Sequence, residues 1–370
     1  MTQNGNGHMT PLEVIDRLFE IAIEQNASDI HIVVGKPPLL RVSGEILPIE
    51  GGNTVTAEIA KELVFALMNE QEREHFIREK EMDIAHQTPS GKRFRINLHW
   101  EKQNVALAAR VIPQQIPTMD ELGLPGVVQR MTDYPHGLVL VTGPTGSGKS
   151  TTLAAMIDKI NRNEAANIIT LEDPIEFLFT ADKSIIRQRQ LGQDFLSYPE
   201  GLKHILRQDP DVVMVGEMRD PETISTTLTI AETGHLVFAT LHTYSASQTI
   251  DRIIDAMPPH QQNQIRSQLA LTLRAVISQQ LLPKIGGGRV AAREILVNNP
   301  AVANLIRENE VAQIKNVLQT SAAEGMTTLT QDLNQLVNLR RVERDIAQQY
   351  LVGNEKLQYK DEEGKKRRWI

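Results

Sequence analysis

Residues 143–150 read Gly-Pro-Thr-Gly-Ser-Gly-Lys-Ser, a fit to G-x-x-x-x-G-K-[ST], and no other stretch limits the chain's possible folds so sharply. The loop lies between an apolar run, Leu138–Thr142, and a helical pattern that opens at Lys149. In that setting the glycines let backbone N–H groups turn inward around a phosphate, and the helix N-terminus adds positive potential. Gly143, Pro144, Thr145, Gly146, Ser147, Gly148, Lys149, Ser150 and Thr151 are therefore the expected phosphate-binding residues. Lys149 is expected to reach the β- and γ-phosphates, and the Ser150 hydroxyl to ligate Mg²⁺. The competing reading, a glycine-rich turn that binds nothing, is weakened because strand and helix are both in place. A nucleoside triphosphate is the expected ligand.

The runs around this loop imply its sheet. Leu138–Val141, Ile168–Leu171, Val212–Val215 and Leu236–Leu241 are apolar without alternation and are separated by helical stretches. Such runs fit parallel strands covered on both faces. From Ile265 onward the pattern reads as mainly helical, including Asn299–Thr320 and Leu329–Leu351.

The first hundred residues follow another pattern. Thr10-Pro11-Leu12-Glu13 has capping-box spacing, and Leu12, Ile15, Phe19 and Ile23 then repeat at helical intervals. Short extended runs follow at 29–34 and 39–47, with a turn at Ser43-Gly44, then one helical stretch from Ala57 to about Glu79. Arg93–Trp100 alternates apolar Phe94, Ile96, Leu98 and Trp100 with polar neighbours, and Val105–Ile112 is a second such strand. Three prolines between Pro113 and Pro125 mark a linker. The expected organisation is a disordered lead-in over 1–10, an α+β domain over 11–112, a linker over 113–126, an α/β domain with a helical C-terminal part over 127–351, and a charged tail over 352–370.

Composition removes several function classes. With no cysteine among 370 residues, disulfides, Cys-ligated zinc and thiol catalysis are excluded, and a reducing cytoplasm fits. A net charge of −7 with 4% aromatic residues argues against nucleic-acid tracks or stacking platforms. No run approaches the roughly 20 apolar residues of a transmembrane segment, and the N-terminus lacks the features of a signal peptide.

Ligands of open α/β sheets bind beyond the carboxyl ends of the strands. There the apolar runs deliver Glu172-Asp-Pro-Ile-Glu176, Gly216-Glu217 and His242. Hydrolysis of a triphosphate needs one group to hold the metal, one to orient water and one to sense the γ-phosphate. Glu217 is the metal candidate, since Gly216 stands where many such strands carry Asp; the bland alternative is a salt bridge to Arg219. His242 is the γ-phosphate candidate. His235, at the other end of the same short strand, is either a hydrogen-bonded structural histidine or part of a subunit contact.

Taken together, Gly143–Thr151, Leu171–Phe177, Gly216–Asp220 and Thr233–Thr243 resemble the Walker A, Asp-box, Walker B and His-box of secretion-type ATPases. Ala301–Glu308 resembles the Ala-Ile-Arg-Asn-Leu-Ile-Arg-Glu signature of the type IV pilus retraction (PilT) family, with Val302 and Ala303 in place of Ile and Arg. The resemblance runs from about Leu12 to Leu351. It implies a RecA-like P-loop ATPase domain, a smaller PAS-like N-terminal domain, ATP and Mg²⁺ as ligands, and a homo-hexamer that powers pilus disassembly. It also implies an inner-membrane platform protein and a second motor ATPase as partners, at the inner face of the cytoplasmic membrane. Extension and type II secretion relatives usually carry a four-cysteine zinc site, so a cysteine-free chain favours the retraction branch. By the same resemblance Glu176 orients the attacking water, Glu217 acts at Mg²⁺, and Arg95 and Arg110 approach the triphosphate from the N-terminal domain. The tail Lys365–Trp369 has no clear family counterpart and reads as solvated, with contact to an anionic inner leaflet as the alternative. Other readings are a related secretion or DNA-uptake motor and a nucleotide-gated accessory subunit, which only cargo, partners or turnover would separate.

Overall fold

The computed structural model describes residues 9–42, 44–112, 115–351, 357, 359–360 and 366–367. The expected lead-in lies outside these but for Met9 and Thr10, as do Ser43 of the expected turn and most of the charged tail. The chain divides into two compact units, Met1–Gln115 and Ile116–Ile370.

The first unit runs α1 (Pro11–Glu24), β1 (Asp29–Ile32), β2 (Leu39–Val42), β3 (Glu45–Pro48), α2 (Ala57–Ala66), α3 (Glu70–Glu79), β4 (Glu81–Gln87), β5 (Arg93–Glu101) and β6 (Asn104–Ile112). Its strands form one sheet in the order β3-β2-β1-β6-β5-β4, every pair antiparallel. Alternation along β5 sends Phe94, Ile96 and Leu98 into a core shared with Ile15 and Phe19 of α1 and Leu63 and Val64 of α2. The Phe19 and Phe94 rings stack there at 4.2 Å between centroids.

The single helix expected over Ala57–Glu79 is two helices. Asn69 interrupts it: its side chain accepts from Glu72 N at 3.0 Å while its own N–H donates to the Glu72 carboxylate at 2.8 Å, a capping box that starts α3. The same device at Thr10 and Glu13 starts α1, as the spacing implied.

The second unit runs α4 (Gly126–Arg130), β7 (Gly137–Thr142), α5 (Lys149–Asn163), β8 (Asn167–Glu172), β9 (Ile185–Gln190), α6 (Tyr198–Ile205), β10 (Val212–Val215), α7 (Pro221–Glu232), β11 (Leu236–Leu241), α8 (Ala246–Asp255), α9 (Gln262–Thr272), β12 (Leu273–Pro283), β13 (Arg289–Val297), α10 (Pro300–Arg307), α11 (Ile314–Thr320), α12 (Leu329–Asn338) and α13 (Arg344–Gln349). Its sheet has the order β13-β12-β7-β11-β10-β8-β9, parallel throughout except for β13. Separate apolar cores cover its two faces, one including Leu153, Met156 and Ile157 of α5 and the other Ile224 and Leu228 of α7. Met119 and Leu124, in the stretch read as a linker, are buried in the α5-side core.

The last third is less helical than its sequence suggested. α9 passes into β12 at Leu273 with no intervening turn, and β12 and β13 form a long antiparallel hairpin that extends the central sheet beside β7. Asn299–Thr320 and Leu329–Leu351 each split into two short α-helices, the first pair with a 3₁₀ turn, Val311–Gln313, between them.

Candidate active site

The six residues of β7 are all buried, so the chain leaves the sheet at Gly143 directly above the core. Gly143 has φ +144°, and a Cβ there would lie 2.2 Å from the Gln279 carbonyl oxygen and 2.6 Å from Ser147 Oγ. No other residue fits. Gly148, at φ +85°, occupies the left-handed N-cap of α5, whose first-turn N–H groups have no intrahelical acceptor. Thr145 and Gly146 form the exposed tip of the loop, and the buried Ser147 Oγ has no hydrogen-bond partner among the described residues. These features make a cradle for an anionic group.

Lys149 is buried at 9% exposure, and its Nζ donates to the carbonyls of Gly143 at 2.9 Å and Pro144 at 3.1 Å. Burial lowers the affinity of this amine for its proton, while the charges of Glu217 and Glu176 oppose that effect; burial prevails. Three strand ends, those of β7, β8 and β10, thus bring one cation and two carboxylates together.

Glu217 follows β10 through Gly216. Its carboxylate lies 2.8 Å from the Arg219 guanidinium and 3.2 Å from His242 Nε2. Burial pushes this carboxyl up, but Arg219 and His242 outweigh it and hold it below the ordinary carboxylate value. The Arg219 bridge and a place beside Lys149 are therefore both real. Glycine precedes Glu217 for a steric reason: a Cβ on residue 216 would approach Tyr198 Oη to 2.8 Å and the Leu171 carbonyl to 3.0 Å. Gly216 also donates to that carbonyl at 2.8 Å and accepts from the Thr240 hydroxyl, which ties β8, β10 and β11 together under the site.

Glu172, the last residue of β8, is buried and accepts from Thr170 Oγ1 at 2.6 Å and Gln188 Nε2 at 3.1 Å. Burial pushes its carboxyl up. After the cis Asp173–Pro174 bond, Ile175 N–H donates to Gln190 Oε1 at 3.2 Å, and Glu176 emerges half-buried. Gln188 and Gln190 were not anticipated. Their only sequence signal is a glutamine at alternate positions of the short polar strand β9.

His235 is held locally, its Nδ1 3.0 Å from the Ile230 carbonyl and 3.2 Å from Thr233 Oγ1, which matches the structural alternative for this residue. Arg95 and Arg110 belong to the first unit, where they are register partners on β5 and β6. Arg110 Nε donates to Asp29 Oδ1 at 2.8 Å. Burial raises the Asp29 carboxyl, but Ser28 and Arg110 overcome this and keep it low, so the aspartate is ionised and orients the guanidinium.

A family model described as type II/IV secretion system protein matches residues 118–359. The chain is 45% identical over 335 residues to the type IV pilus retraction ATPase PilT of Pseudomonas aeruginosa, covering 90% of this chain and 97% of that protein. It is 46% identical over 323 residues to a twitching motility protein of Neisseria gonorrhoeae, covering 87% of this chain and 86% of that one. A crystal structure of the pilus retraction motor PilT with bound ADP aligns at a TM-score of 0.86 and 43% identity, over 94% of this chain and 98% of that chain.

Proposed function

The chain belongs to the type II/IV secretion system protein family, and from that premise we propose that it is an ATP-hydrolysing motor that powers retraction of type IV pili. The observation that carries this reading is Lys149, buried beneath the glycine loop and under the charge of Glu217 and Glu176. Near-complete coverage of relatives named as retraction and twitching proteins supplies the cargo.

In this reading the loop amides and Lys149 hold the β- and γ-phosphates. Glu176 orients a water and takes its proton as the water oxygen attacks the γ-phosphorus; the bond to the bridging oxygen breaks and ADP leaves. Ser150 and Glu217 suit Mg²⁺, which binds through a few oxygen ligands together with substrate phosphates, and Glu217 stays ionised for that purpose. When bound there, Mg²⁺ would neutralise charge on the phosphates. His242, 3.2 Å from Glu217, would then be the side chain that senses the γ-phosphate. Arg95 and Arg110 stabilise the charge on the transferring phosphoryl group.

The working form is a homo-hexamer seated on the inner-membrane platform protein of a pilus machine and acting beside a second motor ATPase. Among the described residues no helix is long and apolar enough to cross a membrane, which fits a peripheral location. Two measurements test the proposal. The purified chain should release phosphate from ATP with Mg²⁺, and a strain lacking it should extend pili that do not retract. A chain without turnover, or normal retraction in that strain, contradicts it.

A further inference from the structure

β12 is the neighbour of β7 in the sheet, joined to it by the buried Thr142–Ser278 hydroxyl pair at 2.8 Å. The next residue, Gln279, is 1% exposed. Its Nε2 donates to the Ser147 carbonyl at 2.8 Å, and its Oε1 accepts from Thr152 Oγ1 at 3.0 Å. A carbonyl only accepts, so the nitrogen end of the amide must face Ser147 and the oxygen end must face α5. Both ends of the side chain are committed to the phosphate loop and the helix that follows it.

The peptide plane gives this contact a consequence. In a trans peptide the carbonyl of one residue and the N–H of the next point in opposite directions. A Ser147 carbonyl drawn toward Gln279 therefore turns the Gly148 N–H the other way, away from β12 and toward the inside of the loop. The Gln279 backbone reinforces the arrangement, because its carbonyl fills the space that a side chain at position 143 would need.

We propose that Gln279 is a positioning residue for the nucleotide phosphates: it fixes the Ser147–Gly148 peptide so that the Gly148 N–H converges with its neighbours on the bound phosphate, and Thr152 fixes Gln279. The proposal rests on the nucleotide-binding reading of the loop. It acts equally on ground state and transition state, so it governs affinity rather than the chemical step.

Equilibrium binding of a fluorescent ATP analogue, steady-state phosphate release and thermal melting of the full chain provide the test. Gln279→Leu should raise both Kd and KM by about tenfold and leave kcat within about threefold of wild type. Thr152→Val should raise Kd by a smaller factor of about three, and Thr152→Ser, which keeps the hydroxyl, should restore it. The double variant Gln279→Leu/Thr152→Val should bind no more weakly than Gln279→Leu, because Thr152 acts only through Gln279. A purely structural role would lower the melting temperature without this pattern in Kd. A wild-type Kd in a folded Gln279→Leu protein, or additive effects in the double variant, overturns the proposal. If Gln279→Leu does not fold, an unchanged Kd in Thr152→Val overturns it instead. Failure of the wild-type chain to bind the analogue would remove the nucleotide reading itself.

Discussion

Strand β5 of the first unit sends Phe94, Ile96 and Leu98 into its core and Arg95, Asn97 and His99 to the opposite face, whereas every residue of β7 in the second unit is buried. The contrast decides where each unit can carry charge. A sheet with one polar face can place ionisable groups anywhere along a strand, and the first unit has Arg41, Asp29, Arg110 and Arg95 as successive register partners across β2, β1, β6 and β5. A sheet covered on both faces has no such freedom. Its central strands β7, β8, β10 and β11 carry no ionisable residue before their carboxyl ends, and parallel strands bring those ends to one edge. The central strands of the second unit therefore deliver their ionisable groups to one edge, while the sheet of the first unit spreads them over a face.

Substitutions should separate the two cases. Lys149→Ala should produce the largest effect, lowering nucleotide affinity and turnover by at least about 10²-fold, because nothing else at the edge replaces a buried cation. Calorimetric titration and phosphate release check it, and residual turnover near wild type would place the chemistry elsewhere. Next comes Gly216→Ala, which forces a methyl group against the Leu171 carbonyl and Tyr198 Oη and should cost about 1–3 kcal/mol in denaturant unfolding. Gly146→Ala is the contrasting control, since only its positive φ resists the change and the space around it is open. Arg110→Ala, on the exposed face of the first unit, should lower turnover by only about tenfold and leave the fold intact. Unchanged kinetics would reduce Arg110 to an ordinary partner of Asp29.

The smallest effect concerns Glu172. Burial places its folded pKa above the ordinary 4.5, so between 4.5 and the folded value the folded state binds more protons than the unfolded state. Stability from this group is complete below about 4.5 and is lost as pH rises through the folded value. Glu172→Gln keeps an acceptor for Thr170 and Gln188, and should raise Tm by ~2–4 °C at neutral pH with the gain vanishing below pH 4.5. A gain that persists in acid would assign the effect to packing.

The same contrast explains what was legible in the residues alone. Alternation in β5 and unbroken apolar runs in β7, β8, β10 and β11 each point to one kind of strand, and the glycine loop is specific in its own right. β12 carries Arg274, Ser278, Gln279 and Gln280 within its length and follows a helix without a turn residue, so its period is neither that of a strand nor that of a helix. β9, at the sheet edge, reads Ile-Ile-Arg-Gln-Arg-Gln and lacks the apolar run of its neighbours. Lys149 was identifiable from the glycine-loop motif, and Glu217 and His242 because they follow recognisable strands. Gln279, Gln188 and Gln190 were not, since a buried amide serving another residue's backbone has no motif of its own.

One measurement bears most directly on the site: ATP binding and phosphate release compared in the wild-type chain and Glu176→Gln. The variant removes only the proton acceptor, so it should hold ATP with a Kd within about threefold of wild type while phosphate release falls by about 10²–10⁴-fold. Release at the wild-type rate from Glu176→Gln would contradict the assignment of water activation to this carboxylate, and with it the catalytic reading of the strand ends.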